Sequence, residues 1–79
     1  MTIFLQLYGT SHCHLCEQAE FLITELSKEF DLQWCVTEIA NDSKLLELYE
    51  LKIPVLRRMD NNLEIRWPFT LNEMIQLIK

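Results

Sequence analysis

The sequence predicts an α/β fold: a four-stranded mixed sheet with helices on both faces, in the order β-α-β-α-β-β-α. Two apolar, strand-prone segments flank an amphipathic helical stretch in the first half of the chain, which is the pattern of a parallel β-α-β unit. Two further apolar segments lie on either side of Asp60-Asn61-Asn62, a turn sequence typical of hairpins. An amphipathic stretch with a helix-capping sequence follows. Together these features place two parallel strands and an antiparallel hairpin in one sheet.

The first three elements are predicted from apolar periodicity. Residues 3–8 are almost continuously apolar, which is typical of a strand buried on both faces, and Gly9 follows where this strand is expected to end. Residues 13–29 repeat apolar side chains every three or four positions and predict a helix. Residues 32–39 are rich in β-branched and aromatic types and predict the second strand. The apolar stripe of the helix comprises Leu15, Ala19, Leu22, Ile23, Leu26 and Phe30.

A short helix and a hairpin are predicted next. Asn41-Asp42-Ser43 supplies a helix cap. Residues 54–59 and 63–67 are the predicted hairpin strands, because the asparagines between them tolerate positive φ. The apolar residues assigned to the short helix are Leu45, Leu46, Leu48, Tyr49 and Leu51.

The last helix and the composition complete the prediction of one domain, residues 1–79. Thr70 and Glu73 have the spacing of a capping box, and the stripe behind them comprises Leu71, Met74, Ile75 and Ile78. With 79 residues, 49% of them apolar, the chain suits a single small core that buries about 60% of its unfolded surface. One glycine and two prolines are too few for a linker or a disordered segment.

Charge and the N-terminal segment limit the function classes. Seven basic and twelve acidic side chains give a net charge of −5, which repels nucleic acid and anionic membranes as partners. The N-terminus has neither a basic lead nor a long apolar run, so we expect no secretory signal and no membrane span. We therefore expect a cytoplasmic protein, in a compartment where paired cysteines are more often catalytic or metal-binding than structural. Separately, we expect the chain to be a monomer.

Cys13-His14-Leu15-Cys16 is the most informative segment, because it puts two thiols at the start of a helix that follows a strand. Regular helix geometry separates Cβ atoms three positions apart by about 5–6 Å, whereas a disulfide requires about 4 Å. The pair can therefore close only in the irregular first turn. Unsatisfied backbone N–H groups and the helix dipole favour a thiolate there, the dipole by roughly 0.3–1 kcal/mol.

The whole length of the chain resembles the thioredoxin superfamily, and within it the glutaredoxin-like branch. The resemblance is carried by Cys13-x-x-Cys16 after the first strand and by Ile53-Pro54 at the start of the third. It is greatest to short, mostly bacterial glutaredoxin-like proteins, through the segments Tyr8 to Ala19, Ile53 to Leu56 and Trp67 to Phe69. A Cys-x-x-Cys motif is weakly specific alone, but its combination with the proline and this element order is strong.

The resemblance implies a thiol-disulfide oxidoreductase and gives roles to four residues. Cys13 would be the exposed nucleophile, and Cys16 would resolve the mixed disulfide, so that the protein leaves as the Cys13–Cys16 disulfide. Pro54 would follow a cis peptide bond and face the cysteines. Since proline has no N–H, strand pairing stops there, and Ile53 and Pro54 would hold a substrate segment through free backbone groups.

No cofactor is expected, and the partner is a protein disulfide or dithiol, or glutathione. Glutathione-using relatives share a basic residue just upstream of the first cysteine, a proline-tyrosine centre and a glycine-rich turn before the last helix. This chain has Thr10-Ser11, His14-Leu15 and Trp67-Pro68-Phe69-Thr70 at those places. A protein partner is therefore as good a candidate as glutathione.

Histidines and a third cysteine lie near this motif. His12 and His14 flank Cys13 and could tune its acidity by donating hydrogen bonds to a thiolate; the alternative is that they are exposed loop side chains. Cys35, in the second predicted strand, is expected to be a small core residue rather than a redox group.

Two further groups have a structural and a functional interpretation. Trp67-Pro68-Phe69 is expected to pack in the core and at the helix entry, although it could line the groove beside the cysteines. The arginines of the hairpin are expected to form a solvated face, although they could anchor a substrate carboxylate. These arginines are Arg57, Arg58 and Arg66.

Two alternatives to an oxidoreductase remain. The cysteines and adjacent histidines could bind zinc or an iron-sulfur cluster, but a closed site needs four ligands, so a dimer or glutathione would have to complete it. The chain could also be a redox-inactive interaction domain with the same fold.

Overall fold

The chain folds as a four-stranded mixed sheet with helices on both faces, as the sequence predicts. The computed structural model describes all residues, Met1–Lys79. The elements are β1 (Ile3–Gly9), α1 (His14–Ser27), β2 (Leu32–Glu38), α2 (Ser43–Tyr49), β3 (Val55–Arg58), β4 (Glu64–Arg66) and α3 (Leu71–Ile78), with a 3-10 turn at Ile39–Asn41. No helix has the length and apolar character needed to cross a membrane.

The sheet has the strand order β2-β1-β3-β4. β1 and β2 are parallel, with Gly9 opposite Glu38 at their carboxyl ends. β3 is antiparallel to β1, with Val55 opposite Tyr8, and β4 is antiparallel to β3. Both the β-α-β unit and the hairpin are thus confirmed. The carboxyl ends of the parallel strands and the start of β3 meet at one edge of the sheet.

The main core lies between the sheet and the pair α1 and α3. Leu5, Leu7 and Leu56 project from the two central strands, and α3 contributes the fully buried Met74. From α1 the core takes Ala19, Ile23 and Leu26. With Cys16, these form the buried stripe of that helix.

The opposite face of the sheet is only partly covered, because α2 is short. Tyr8 and Val55 pack there against Tyr49 of α2, and the two tyrosine rings stack with centroids 4.6 Å apart. Phe4 lies on the same face as Tyr8 and is 56% exposed. The prediction that β1 is buried on both faces is therefore wrong for Phe4.

Several leucines assigned to helix stripes are exposed. The prediction that Leu15 belongs to the buried stripe of α1 is wrong, because this stripe begins at Cys16, one position further on. Leu51 is 94% exposed because α2 ends at Tyr49 and Leu51 lies in the turn after it. Leu46, Leu48 and Leu71 are exposed as well.

Local turn and cap predictions are confirmed. Asn62 has φ 61° in the hairpin turn, as expected of asparagine. The Thr70 hydroxyl accepts the Glu73 N–H at 3.1 Å, and the Glu73 carboxylate accepts the Thr70 N–H at 3.2 Å. The capping box is thus complete and sets the start of α3.

Candidate active site

Cys13 and Cys16 form a disulfide at the start of α1. Cys13 is the N-cap, with extended backbone (φ −93°, ψ 105°), and Cys16 lies in the first turn of the helix. The two Cα atoms are 5.2 Å apart, within the usual range for a disulfide and close to the roughly 5 Å of a regular helix, so the extended backbone at Cys13 acts through the direction of its Cα–Cβ bond rather than through this distance. The pair therefore closes in the irregular first turn, where regular helix geometry would keep the sulfur atoms apart.

The two cysteines have different surroundings. Cys13 is half-buried at the edge of a pocket, and its Sγ accepts the backbone N–H of Cys16 at 3.1 Å. Cys16 is only 8% exposed and faces the sheet. The helix start thus offers a hydrogen-bond donor to the sulfur of Cys13, while Cys16 is held inside.

Gly9 is required by the packing of Cys16. It is the last residue of β1, so the strand ends at this glycine as the sequence suggested, and its φ is not positive. A Cβ at this position would lie 3.0 Å from the Sγ and 3.2 Å from the Cβ of Cys16. The glycine therefore allows the sheet to approach the buried sulfur closely.

Ile53 and Pro54 lie at the same edge of the sheet. The peptide bond between them is cis, as the family resemblance implies. Pro54 directly precedes Val55, the residue opposite Tyr8, so the proline is next to the Gly9 end of β1. Pro54 is fully buried, and its carbonyl accepts the Trp67 N–H at 3.0 Å.

The expectation that both backbone groups of Ile53 are free is correct for the carbonyl and wrong for the N–H. The Ile53 N–H donates to the carbonyl of Tyr49, four positions earlier, at 3.1 Å. This hydrogen bond has helical spacing and follows directly after the end of α2. The carbonyl of Ile53 accepts no backbone hydrogen bond. Of the two backbone groups, only this carbonyl is therefore free to accept a hydrogen bond.

A pocket of about 270 Å³ opens between the start of α1 and the end of β2, and the disulfide lies in its wall. Glu38, the last residue of β2, also lines it. The Glu38 carboxylate accepts both the N–H and the hydroxyl of Ser11 at 2.8 Å, and the N–H of Ala40 at 3.2 Å. It thereby ties the loop that carries Cys13 to the sheet.

Hydrogen bonds from Thr10 and Ser11, followed by that from the Ala40 backbone, lower the pKa of Glu38 from 4.5 to about 2. The carboxylate therefore stays ionised at physiological pH. Sequence reasoning missed Glu38, because Ser11 is 27 positions away. The strand register was the one signal that could have found it, since a parallel β-α-β unit puts the end of β2 beside the end of β1.

The two histidines occupy different places. His12 is exposed, has φ 61° and lines the pocket with Cys13. His14 is outside the pocket lining, and its Nδ1 lies 3.7 Å from a carboxylate oxygen of Glu17 in solvent. The structure thus brings only His12 into the pocket; tuning of Cys13 by either histidine stays a prediction.

The structure contradicts the prediction for Cys35 and agrees with the structural interpretation of Trp67-Pro68-Phe69. Cys35 is exposed, so its assignment to the core is wrong; it lies opposite Gln6 on the sheet face that α2 leaves open. Phe69 packs in the main core with Trp67 at its margin, as the structural interpretation expects. The Trp67-Pro68 bond is also cis.

The hairpin arginines are not simply a solvated face. Arg58 binds the Asp60 carboxylate at 2.7 Å and the Leu77 carbonyl at 3.1 Å, with most of its side chain buried. Arg57 donates to the Tyr8 hydroxyl at 3.3 Å. Only Arg66 is exposed as predicted.

No three His, Cys, Asp or Glu side chains converge in a way that could hold a metal ion. A zinc or iron-sulfur site at Cys13 and Cys16 would therefore need ligands from a second chain or from glutathione, as the sequence already required.

Solved structures of the same size share this fold. The chain is 30% identical to protein XcR50 from X. campestris, with a TM-score of 0.80 over 94% of this chain and 93% of that one. It is 28% identical to protein Ne2328 from Nitrosomonas europaea, with a TM-score of 0.81 over 94% of this chain and 87% of that one. A malarial protein at 15% identity and TM-score 0.69 is similar in fold alone.

No curated protein matches the chain. A family model does: the glutaredoxin-like domain (DUF836) matches residues 4–79. This match includes the cysteine pair, the Ile53-Pro54 segment and every helix and strand except the first residue of β1. The protein therefore belongs to the glutaredoxin-like domain family, a branch of the thioredoxin superfamily.

Proposed function

We propose that this protein is a small cytoplasmic thiol-disulfide oxidoreductase in which Cys13 attacks and Cys16 resolves. The Cys13 thiolate attacks one sulfur of a partner disulfide, and the other partner sulfur leaves as a thiolate. The Cys16 thiolate then attacks the Cys13 sulfur of the mixed disulfide, which releases the second partner thiolate. Two electrons pass to the partner, and the protein is left as the Cys13–Cys16 disulfide.

The observation that supports this order most is the difference in exposure between the two sulfur atoms. Cys13 is half-buried at the mouth of a pocket, whereas Cys16 is 8% exposed behind it. A partner can therefore approach Cys13 but not Cys16. The Cys16 N–H, at 3.1 Å, is placed to stabilise negative charge on the Cys13 sulfur.

The backbone at Ile53-Pro54 is the proposed seat for the partner chain. The free carbonyl of Ile53 can accept one hydrogen bond from an extended segment, and the buried Pro54 leaves no competing N–H. Such a segment would lie at the edge of the sheet that holds the cysteines. A protein or a peptide can make this contact, and so can glutathione.

Single cysteine variants test the proposal. Reduced protein is mixed with a peptide disulfide, and the products are separated by mass. We expect Cys13→Ser to form no mixed disulfide at the site, because Cys16, the thiol that remains there, is buried; peptide mapping separates any reaction at the exposed Cys35. We expect Cys16→Ser to accumulate a mixed disulfide at Cys13, since the resolving thiol is gone.

Cys35→Ser is the matched control, because it removes an exposed thiol that lies outside the pocket. It should turn over as the unmodified chain does. If Cys16→Ser protein turns over as fast as the unmodified chain, the resolving role is wrong. If no variant exchanges with any disulfide, the chain is an interaction domain rather than an oxidoreductase.

A further inference from the structure

The pocket beside the disulfide is acidic. Glu17 and Glu20 of α1 and Glu38 of β2 line it together with the two cysteines, and no lysine or arginine does. His12 is the only lining side chain that can carry a positive charge. Lys52 and Arg66 line a different pocket, which they share with a glutamate.

The three carboxylates are not neutralised within the chain. Glu38 binds hydroxyl and backbone donors, and Glu20 accepts the indole N–H of Trp34 at 3.3 Å. Glu17 has only the exposed His14 at 3.7 Å. No lysine or arginine lies within ion-pair distance of any of the three. The pocket therefore keeps its negative charge.

The size and the apolar part of the pocket suit one long cationic side chain. Its volume of about 270 Å³ is below the roughly 300 Å³ at which small-molecule sites begin. Leu7 and Val36 contribute an aliphatic surface to the lining. The stem of a lysine or arginine can lie on such a surface while its charged end reaches the carboxylates.

We propose that this pocket selects disulfides with a positively charged side chain next to the reacting cysteine and discriminates against glutathione. Each glutathione has two carboxylates and one ammonium group, so its disulfide is anionic and is repelled by the pocket. The inference rests on the proposed function. Its chemical step is the same exchange: a bond forms between the Cys13 sulfur and one substrate sulfur, while the other leaves as a thiolate.

Three small disulfides of different charge test the selection. Reduced protein is oxidised by cystamine, which is cationic, by neutral hydroxyethyl disulfide and by anionic glutathione disulfide. Each rate is divided by the rate of the same disulfide with a small neutral thiol, which corrects for intrinsic reactivity. At low salt we expect cystamine to be fastest and glutathione disulfide slowest, about tenfold apart. The ratio should shrink to about twofold in 1 M salt, where charges are screened within about 3 Å.

Two double variants with the same change in net charge locate the effect. Glu17→Gln with Glu20→Gln removes charge from the pocket. At low salt it should lower the ratio of the cystamine rate to the glutathione disulfide rate at least about threefold. Glu29→Gln with Glu47→Gln removes charge elsewhere and should leave the ratio within about twofold. Glu29 and Glu47 lie outside the pocket, so this second pair should also keep the exchange rates of the unmodified chain.

Several results would overturn the inference. Equal normalised rates, or a preference for glutathione disulfide, would show that the pocket does not select cations. Equal compression by both double variants would assign the preference to net charge rather than to the pocket. If none of the three disulfides oxidises the pair, the proposed function itself fails, and the absence of the Cys13–Cys16 disulfide distinguishes that result from lost selectivity.

Discussion

At the residue scale, the position of Cys16 depends on the absence of a side chain on the neighbouring strand. The buried sulfur lies against the backbone of Gly9, in the space that a Cβ would fill. Cys13, as the N-cap, is fixed instead by the extended backbone before the helix. The division between an accessible and an inaccessible thiol thus comes from one glycine and one helix start.

Gly9→Ala should therefore displace Cys16. Because the new Cβ would lie 3.0 Å from the Cys16 sulfur, we expect a loss of about 1–3 kcal/mol in the free energy of unfolding. Denaturant unfolding of the reduced protein measures it. In a Cys16→Ala background part of this loss should disappear, because the sulfur contact is removed while the Cβ contact at 3.2 Å stays. The same loss in both backgrounds would show that the Cys16 sulfur is not a cause.

At the scale of elements, Glu38 joins the end of β2 to the loop between β1 and α1. Its carboxylate receives two hydrogen bonds from Ser11 at 2.8 Å, two positions before Cys13. Parallel pairing of β1 and β2 puts Glu38 opposite Gly9 and makes this contact. The loop that carries Cys13 is therefore held in place by its hydrogen bonds to β2.

The hydrogen bonds of the Glu38 carboxylate should stabilise the folded protein at neutral pH and lose this effect in acid. The folded-state pKa, about 2, is below the ordinary value of 4.5. The stabilisation is thus complete above pH 4.5 and is lost as the pH falls toward 2. The difference in Tm between the unmodified chain and Glu38→Gln should be largest at pH 7, shrink steadily below pH 4.5 and be lost only as the pH falls through about 2.

Glu47→Gln, a change at an exposed helix position without a hydrogen-bond partner, is the control for that titration. It should show no comparable pH-dependent difference. A difference between the unmodified chain and Glu38→Gln that stays constant from pH 7 to pH 2 would contradict the assigned hydrogen bonds.

At the scale of the whole molecule, one small core has to support both the sheet and the site. Domains are stable by roughly 0.05–0.15 kcal/mol per residue, which gives about 4–12 kcal/mol for this length. Leu56 lies on the central strand β3 and is 0% exposed between the sheet and the helices. The free energy lost when packing at Leu56 is disturbed is therefore a large part of the total free energy of unfolding.

Leu56→Ala should cost about 2–5 kcal/mol and leave the domain close to unfolding at 37 °C. The free energy of unfolding in denaturant is the measurement. Leu48→Ala, at a position that is 57% exposed, should change it by no more than about 0.5 kcal/mol. Similar losses at the two positions would contradict the assignment of the core.

The features predicted correctly from the sequence are those with local causes. Apolar periodicity indicates the helices and strands, and the Thr70 and Glu73 spacing predicts a cap that is formed. The exposure of Phe4 and Cys35 could not be predicted from the sequence, because it depends on how much of the sheet α2 covers. The Glu38 contact with Ser11 was missed for a similar reason, since the strand register brings together residues 27 positions apart.

The most direct test of the account is the relative alkylation of the three thiols in the fully reduced protein. Peptide mapping after brief treatment with a small neutral alkylating agent at pH 7 gives the rate at Cys13, at the buried Cys16 and at the exposed Cys35. We expect Cys13 to react at least about tenfold faster than Cys35, since both are accessible but only Cys13 lies at a helix start. Alkylation of Cys13 no faster than that of Cys35 would contradict its role as the nucleophile.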